Sequence, residues 1–211
     1  MRGHTSSGDI YTRDAVIEAT IQALAAFPDR RLYGDEVVWR GNDRDGFYTS
    51  HRLTHEGTNW GHTSYGPPTG RRVSYRAIAD CAEIENRIYE EWLVRDELSL
   101  IHQLGFDVHE VAQKASQMEA EKSLGTSFTV PGEPDRLQGQ RPPMNCAPFD
   151  SAHFDVEQFV RGAFHAVWNW RLLNKVDEFY SEGFICESAS GRQTYGRNQF
   201  RTYLLSLMSP L

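Results

Sequence analysis

Three side chains in this sequence have the types and neighbours for acid–base work: Asp80, Glu90 and His62. A carboxyl group can take a proton from an activated carbon and return one to a forming alkoxide when its pKa sits near neutrality. Burial in an apolar cavity moves it there by disfavouring the charged form. Asp80 falls late in a long run of strand-forming residues, among Tyr75, Ile78 and Cys81. It either lines a cavity or faces water or an arginine as a strand-end carboxylate. Glu90 alternates with Ile88 and Trp92, which makes it a second acid–base group or a solvated strand residue. His51 shares a strand face with Phe47 and Leu53, a pattern that fits a cavity wall or a hydrogen-bonded core histidine. His62 stands in a loop containing Gly61, Gly66, Pro67 and Pro68. Trp39, Tyr48, Trp60, Tyr65 and Trp92 offer flat walls for a polycyclic ligand, and the same rings serve equally as plain core.

Other chemistries find little support. No G-x-S-x-G nucleophile turn occurs, and the carboxylate next to Cys81 raises a thiol's pKa and works against reactivity. Cys81, Cys146 and Cys186 are far apart and odd in number, which reads as reduced thiols in a cytoplasmic protein. The histidines show no metal-ligand spacing, so neither a metal nor another cofactor is expected. A net charge of -7 without a Lys/Arg cluster argues against a nucleic-acid partner. No apolar run is long enough to span a membrane, and Met1 to Gly8 lacks the apolar stretch of a signal peptide.

Elements that would position these groups follow from periodicity. Thr12 caps a helix running to Phe27, with Val16, Ile17, Thr20, Ile21 and Leu24 on one face. Strands are predicted at 32–40, 47–57, 71–84 and 87–94, the last two joined by a tight turn at Glu85-Asn86. Helices follow at 96–104, stopped by Gly105, and from Asp107 to about Lys122. Residues 123–152, with five prolines, read as a linker. Beyond it, Asp155 caps a strongly amphipathic helix to Trp170, followed by a helix at 172–180, a short strand at 184–187 and a helix at 197–208. Ser7-Gly8 with Tyr11-Thr12-Arg13-Asp14 is similar to Ser190-Gly191 with Tyr195-Gly196-Arg197-Asn198, so the chain begins and ends on the same kind of unit.

The stretch Phe27 to Val111 resembles the later part of a SnoaL-like polyketide cyclase domain. The resemblance is carried in order by Gly57-Thr58, Gly66-Pro67-Pro68-Thr69-Gly70-Arg71-Arg72-Val73, Ile78-Ala79-Asp80, Asn86-Arg87-Ile88-Tyr89-Glu90-Glu91-Trp92 and Gln103-Leu104-Gly105. Phe159 to Tyr180 is similar to the opening two helices of the same family, through Val167-Trp168-Asn169, Arg171, Leu173, Val176-Asp177 and Tyr180. The order departs from the family's, since the helices follow the sheet. This fits a piece of a tandem protein or a circularly permuted domain. It divides the chain into a sheet-bearing part at 1–122, the linker at 123–152 and the opening helices at 153–211, which would roof the sheet in the same chain or in a partner.

The resemblance implies an α+β fold, a cone-shaped roll of curved antiparallel sheet covered by helices, of the nuclear transport factor 2-like or cystatin-like type. It implies a hydrophobic small-molecule substrate, no cofactor and a homodimer. The reaction it implies is an intramolecular aldol ring closure or a related isomerase or hydrolase step. Asp80 matches the family's acid–base aspartate and His62 lies near its pocket histidine. The alternative is a ligand-binding module that keeps the cone without the chemistry.

Overall fold

The computed structural model describes residues 1–6, 8–121 and 153–208. The predicted linker lies outside them. The chain divides into two compact units, Met1–Leu124 with Ala189–Gly191, and Gly125–Ser188 with Arg192–Leu211.

The first unit is a six-stranded sheet with helices. It opens with β1 (Arg2–Thr5) and β2 (Gly8–Ile10), then α1 (Arg13–Ala26), and continues through β3 (Arg31–Asn42), β4 (Gly46–Thr58), β5 (Arg72–Ile84) and β6 (Arg87–Arg95) to α2 (Glu97–Leu104) and α3 (Val108–Glu121). The sheet order is β2-β1-β6-β5-β4-β3. Only the β1–β6 pair is parallel. Register shifts at Gly34/Glu36 and Ala82/Glu83 bend the long strands. Thr12 caps α1 by accepting from the Ala15 N–H, and Gly105 ends α2 in the left-handed region (φ 83°). Glu85 and Asn86, at φ 51° and 57°, make the tight β5–β6 turn that the sequence predicts.

Strand alternation sorts the side chains. Val73, Tyr75, Ala77, Ala79 and Cys81 of β5 are buried on what is here termed the core face. Ala26 and Phe27 at the end of α1 and Leu100 and Leu104 of α2 pack there on Val73 and Tyr75, with Tyr65 and Phe106 alongside. The α1 stripe expected to be a packing face is solvent-exposed at Ile17, Ile21 and Leu24, so this helix is held by its last turn.

Asn59 fastens the loop between β4 and β5. It is fully buried; its amide donates to Gly61 O (2.7 Å) and Ala26 O (3.4 Å), and its Oδ1 accepts from the Thr69 N–H (2.9 Å) and hydroxyl (3.1 Å). Asn59→Ala would remove these four bonds, although the Ala26 carbonyl keeps the Trp60 and Gly61 N–H groups. The expected cost is about 1–2 kcal/mol of stability, read from a urea midpoint.

The second unit contains α4 (Val156–Ala163), a wide π-helical segment at 164–169, α5 (Val176–Phe179), the hairpin β7 (Ile185–Glu187) and β8 (Gln193–Tyr195), and α6 (Gly196–Met208). Asp155 caps α4 through the Gln158 N–H at 2.8 Å. The sequence predicts one regular helix to Trp170, but its last turns widen. The Trp170 and Leu172 N–H groups reach back to His165 and Ala166, and Val167 is fully buried at this point. Val167, Val176, Phe200 and Leu204 form the buried centre of this unit. Each end of the chain thus holds a two-stranded hairpin followed by a helix, of 14 residues in α1 and 13 in α6.

Candidate functional site

The predicted site residues separate onto three places in the first unit. Trp39 and His51 lie on the core face, since Trp39 pairs with Thr49, and Thr49 and His51 pair with Cys81 and Ala79. His51 is half-buried and Trp39 is 64% exposed on the edge strand. Trp60, His62 and Tyr65 sit in the loop after β4, His62 exposed and Tyr65 against the core cluster. Tyr48, Asp80, Glu90 and Trp92 share the opposite, outer face: Tyr48 pairs with Ala82 and Ala82 with Glu90, while Ser50 pairs with Asp80 and Asp80 with Trp92.

Asp80 and His62 are not brought together. The loop holding His62 ends where β5 begins at Arg72, and Asp80 lies eight positions further along that strand. At the rise of an extended chain Arg72 and Asp80 are roughly 25 Å apart. Asp80 is exposed, and its neighbour Ala79 occupies the core face.

The outer face gathers a set of groups that the sequence alone does not reveal. His4 pairs with Trp92, so Asp80, Trp92 and His4 stand in one row across β5, β6 and β1. The imidazole stacks on the Trp92 indole at 5.4 Å with a 15° interplanar angle. Its Nε2 lies 3.0 Å from Glu90 Oε1 and its Nδ1 2.9 Å from Asp9 Oδ1. These hydrogen bonds, Glu90's first and Asp9's second, hold the His4 pKa above the ordinary histidine value, and the bond to His4 holds Asp9 below the usual carboxylate range. Beside them lies an open depression of about 420 Å³ lined by Met1, Arg2, Tyr11, Tyr89 and Glu90.

The core face holds a second unforeseen group. His55 is 4% exposed and stacks on Tyr75 with ring centroids 5.0 Å apart. Its Nδ1 accepts from Arg30 Nε (3.2 Å) and lies 3.0 Å from Arg30 Nη2. Burial, reinforced by the positive charges of Arg30 and Arg95, pushes its pKa down to about 4, so the ring is neutral at pH 7 with its proton on Nε2. The alternation of His51, Leu53 and His55 places it on this face. Nothing local indicates that Arg30 would meet it.

Among the described residues no cluster of three or more His, Cys, Asp or Glu side chains is arranged to hold a metal ion. Within the same residues, no helix is long and apolar enough to cross a membrane.

Several solved structures are similar to part of this chain. AclR from Streptomyces galilaeus, a candidate hydroxylase, is 22% identical with a TM-score of 0.43, over 50% of this chain and 74% of its own. A candidate SnoaL-like polyketide cyclase from Jannaschia sp. CCS1 is 15% identical with a TM-score of 0.44, over 49% and 69%. IdmH from Streptomyces antibioticus, a candidate polyketide cyclase, is 23% identical with a TM-score of 0.42, over 49% and 78%. No curated protein matches the sequence. The family model described as SnoaL-like polyketide cyclase matches residues 2–104, the stretch from β1 to the end of α2. Over residues 2–104 this chain is therefore similar to the SnoaL-like polyketide cyclase family.

Proposed function

We propose that this protein binds a hydrophobic small molecule in the manner its family resemblance implies, without using Asp80 for cyclase chemistry. The observation that carries this reading is the facing of β5: Asp80 is exposed on the outer face, and the core face at the same level presents Ala77, Ala79 and Cys81. Its exposure leaves that carboxylate in water, away from the buried apolar residues of the core face. The apolar surface left open on the core-face side of β3, at Leu32, Val37 and Trp39, gives such a ligand a wall. The same reading carries a cytoplasmic homodimer. Cys81 and Cys186 are free thiols whose pKa values burial raises, and they suit a reducing compartment.

A second reading keeps the aldol ring closure of a polyketide ester, with Asp80 as the acid–base group. It is favoured by the row Asp80–Trp92–His4, which sets a carboxylate and an imidazole on either side of an indole floor. Asp80→Asn, assayed for binding and turnover on a panel of polyketide esters, separates the two. The expected result is affinity and any turnover within about twofold of wild type, as for a surface substitution. Turnover falling by about a hundredfold or more with binding retained would install the cyclase reading instead.

A further inference from the structure

We propose that His4 is a proton-operated clasp that locks the N-terminal hairpin β1–β2 onto β6 and, when it loses its proton, lets the hairpin go and uncovers the indole of Trp92. The geometry defines the required protonation state. Asp9 lies on β2 and Glu90 on β6, so His4 bridges the hairpin's second strand to the sheet with one ring. An ionised carboxylate only accepts hydrogen bonds, so contacts of 2.9 and 3.0 Å on both ring nitrogens need two N–H donors. Only the imidazolium has them. The neutral ring turns a lone pair toward one of the two carboxylates, and that link becomes repulsive.

The surrounding groups let either carboxylate survive the loss. Arg2 of β1 lies 3.6 Å from Glu90, and the Tyr11 hydroxyl donates to Asp9 at 3.0 Å. Asp80 of β5 stands one place beyond Trp92 in the same row. β1 and β2 are four and three residues long, and β1 meets β6 over four register pairs, joined by the Arg2–Glu90 ion pair and by the Ser6 hydroxyl on Glu97. A histidine whose folded-state pKa is raised contributes its full stabilisation below the ordinary histidine pKa, and that contribution disappears as pH climbs through the raised value. The clasp is closed below the ordinary histidine value and opens as pH climbs through the raised one.

The test uses the full chain and histidine Cε1–H NMR, with the His4 signal identified by its absence in His4→Gln. His4 is expected to titrate above the ordinary histidine value. Amide exchange protection of residues 2–10 is expected to fall by about fivefold between about pH 6 and pH 9 in wild type, the loss of one charge-assisted link, and to stay level in His4→Gln. In Glu90→Gln the His4 titration should move down toward the ordinary value. A wild-type His4 that titrates at or below that value overturns the proposal whatever the variants do. So does hairpin protection that ignores pH in wild type, or that follows the same pH course in His4→Gln.

Discussion

Replacing Phe200 with alanine is expected to cost the second unit about 3–5 kcal/mol, the range for emptying a buried aromatic site. Phe200 is fully buried and touches three other rings: Trp168 at 5.9 Å, Tyr180 at 4.9 Å and Phe184 at 5.1 Å between centroids. Two of these contacts are edge-on, the arrangement that ring quadrupoles favour. Tyr180 is further tied to Trp168 by the indole N–H on its hydroxyl (3.1 Å), and its carbonyl accepts from Arg197 Nε of α6 (2.6 Å). The neighbours of Phe200 are therefore fixed by polar bonds and cannot close in on the space it leaves. Such a loss is comparable to the whole stability of a small unit. Urea unfolding followed at the Trp168 indole would show it as a large fall in midpoint, and Phe200→Leu should recover most of it. A change under about 1 kcal/mol would contradict this packing.

Acidification should weaken the first unit through His55. Its pKa is held down to about 4 in the folded protein, against 6.5 when free. Between these two values the unfolded chain carries a proton that the folded chain refuses, so stability falls as pH drops from 6.5 toward 4 and levels off below. The difference corresponds to about 3 kcal/mol, trimmed to about 2–3 by solvent near the ring. Urea midpoints of wild type and His55→Gln, compared across this range, isolate the effect: the variant starts lower and loses less. Identical acid slopes in the two proteins would remove His55 as the cause.

The backbone plan was largely legible because it is written in local terms. Thr12, Asp96 and Asp155 cap helices, Gly105 stops one, and Glu85-Asn86 turns a hairpin. Each depends on residues within four positions of itself. The N-terminal hairpin was not legible, since β1 exists by pairing with β6 88 residues later (Arg2 opposite Glu90) and its own residues read as a polar lead. For the same reason His4 could not be recognised as a partner of Glu90. The facing of Asp80 was present in the sequence and easy to overlook. Tyr75 and Cys81 are an odd number of positions from it, and a two-residue period turns it away from both. The π-helical end of the long helix after Asp155 left no trace in the apolar spacing, because Val167 is buried in a regular turn and in a wide one alike.

The sheet's two margins are unequal. One ends in β2, three residues long, and the other in β3, twelve residues long and exposed along its whole length. Its free N–H and C=O groups form a ready template for another extended chain, and its outward Val38 and inward Val37 and Trp39 would reward one that came. What restrains such growth is built into the strand: the irregularity at Gly34/Glu36 breaks the straight run of donors, and Arg31, Asp35, Glu36 and Arg40 space charge along it. Polymerisation, if the protein is stressed into it, has one preferred direction, outward from β3.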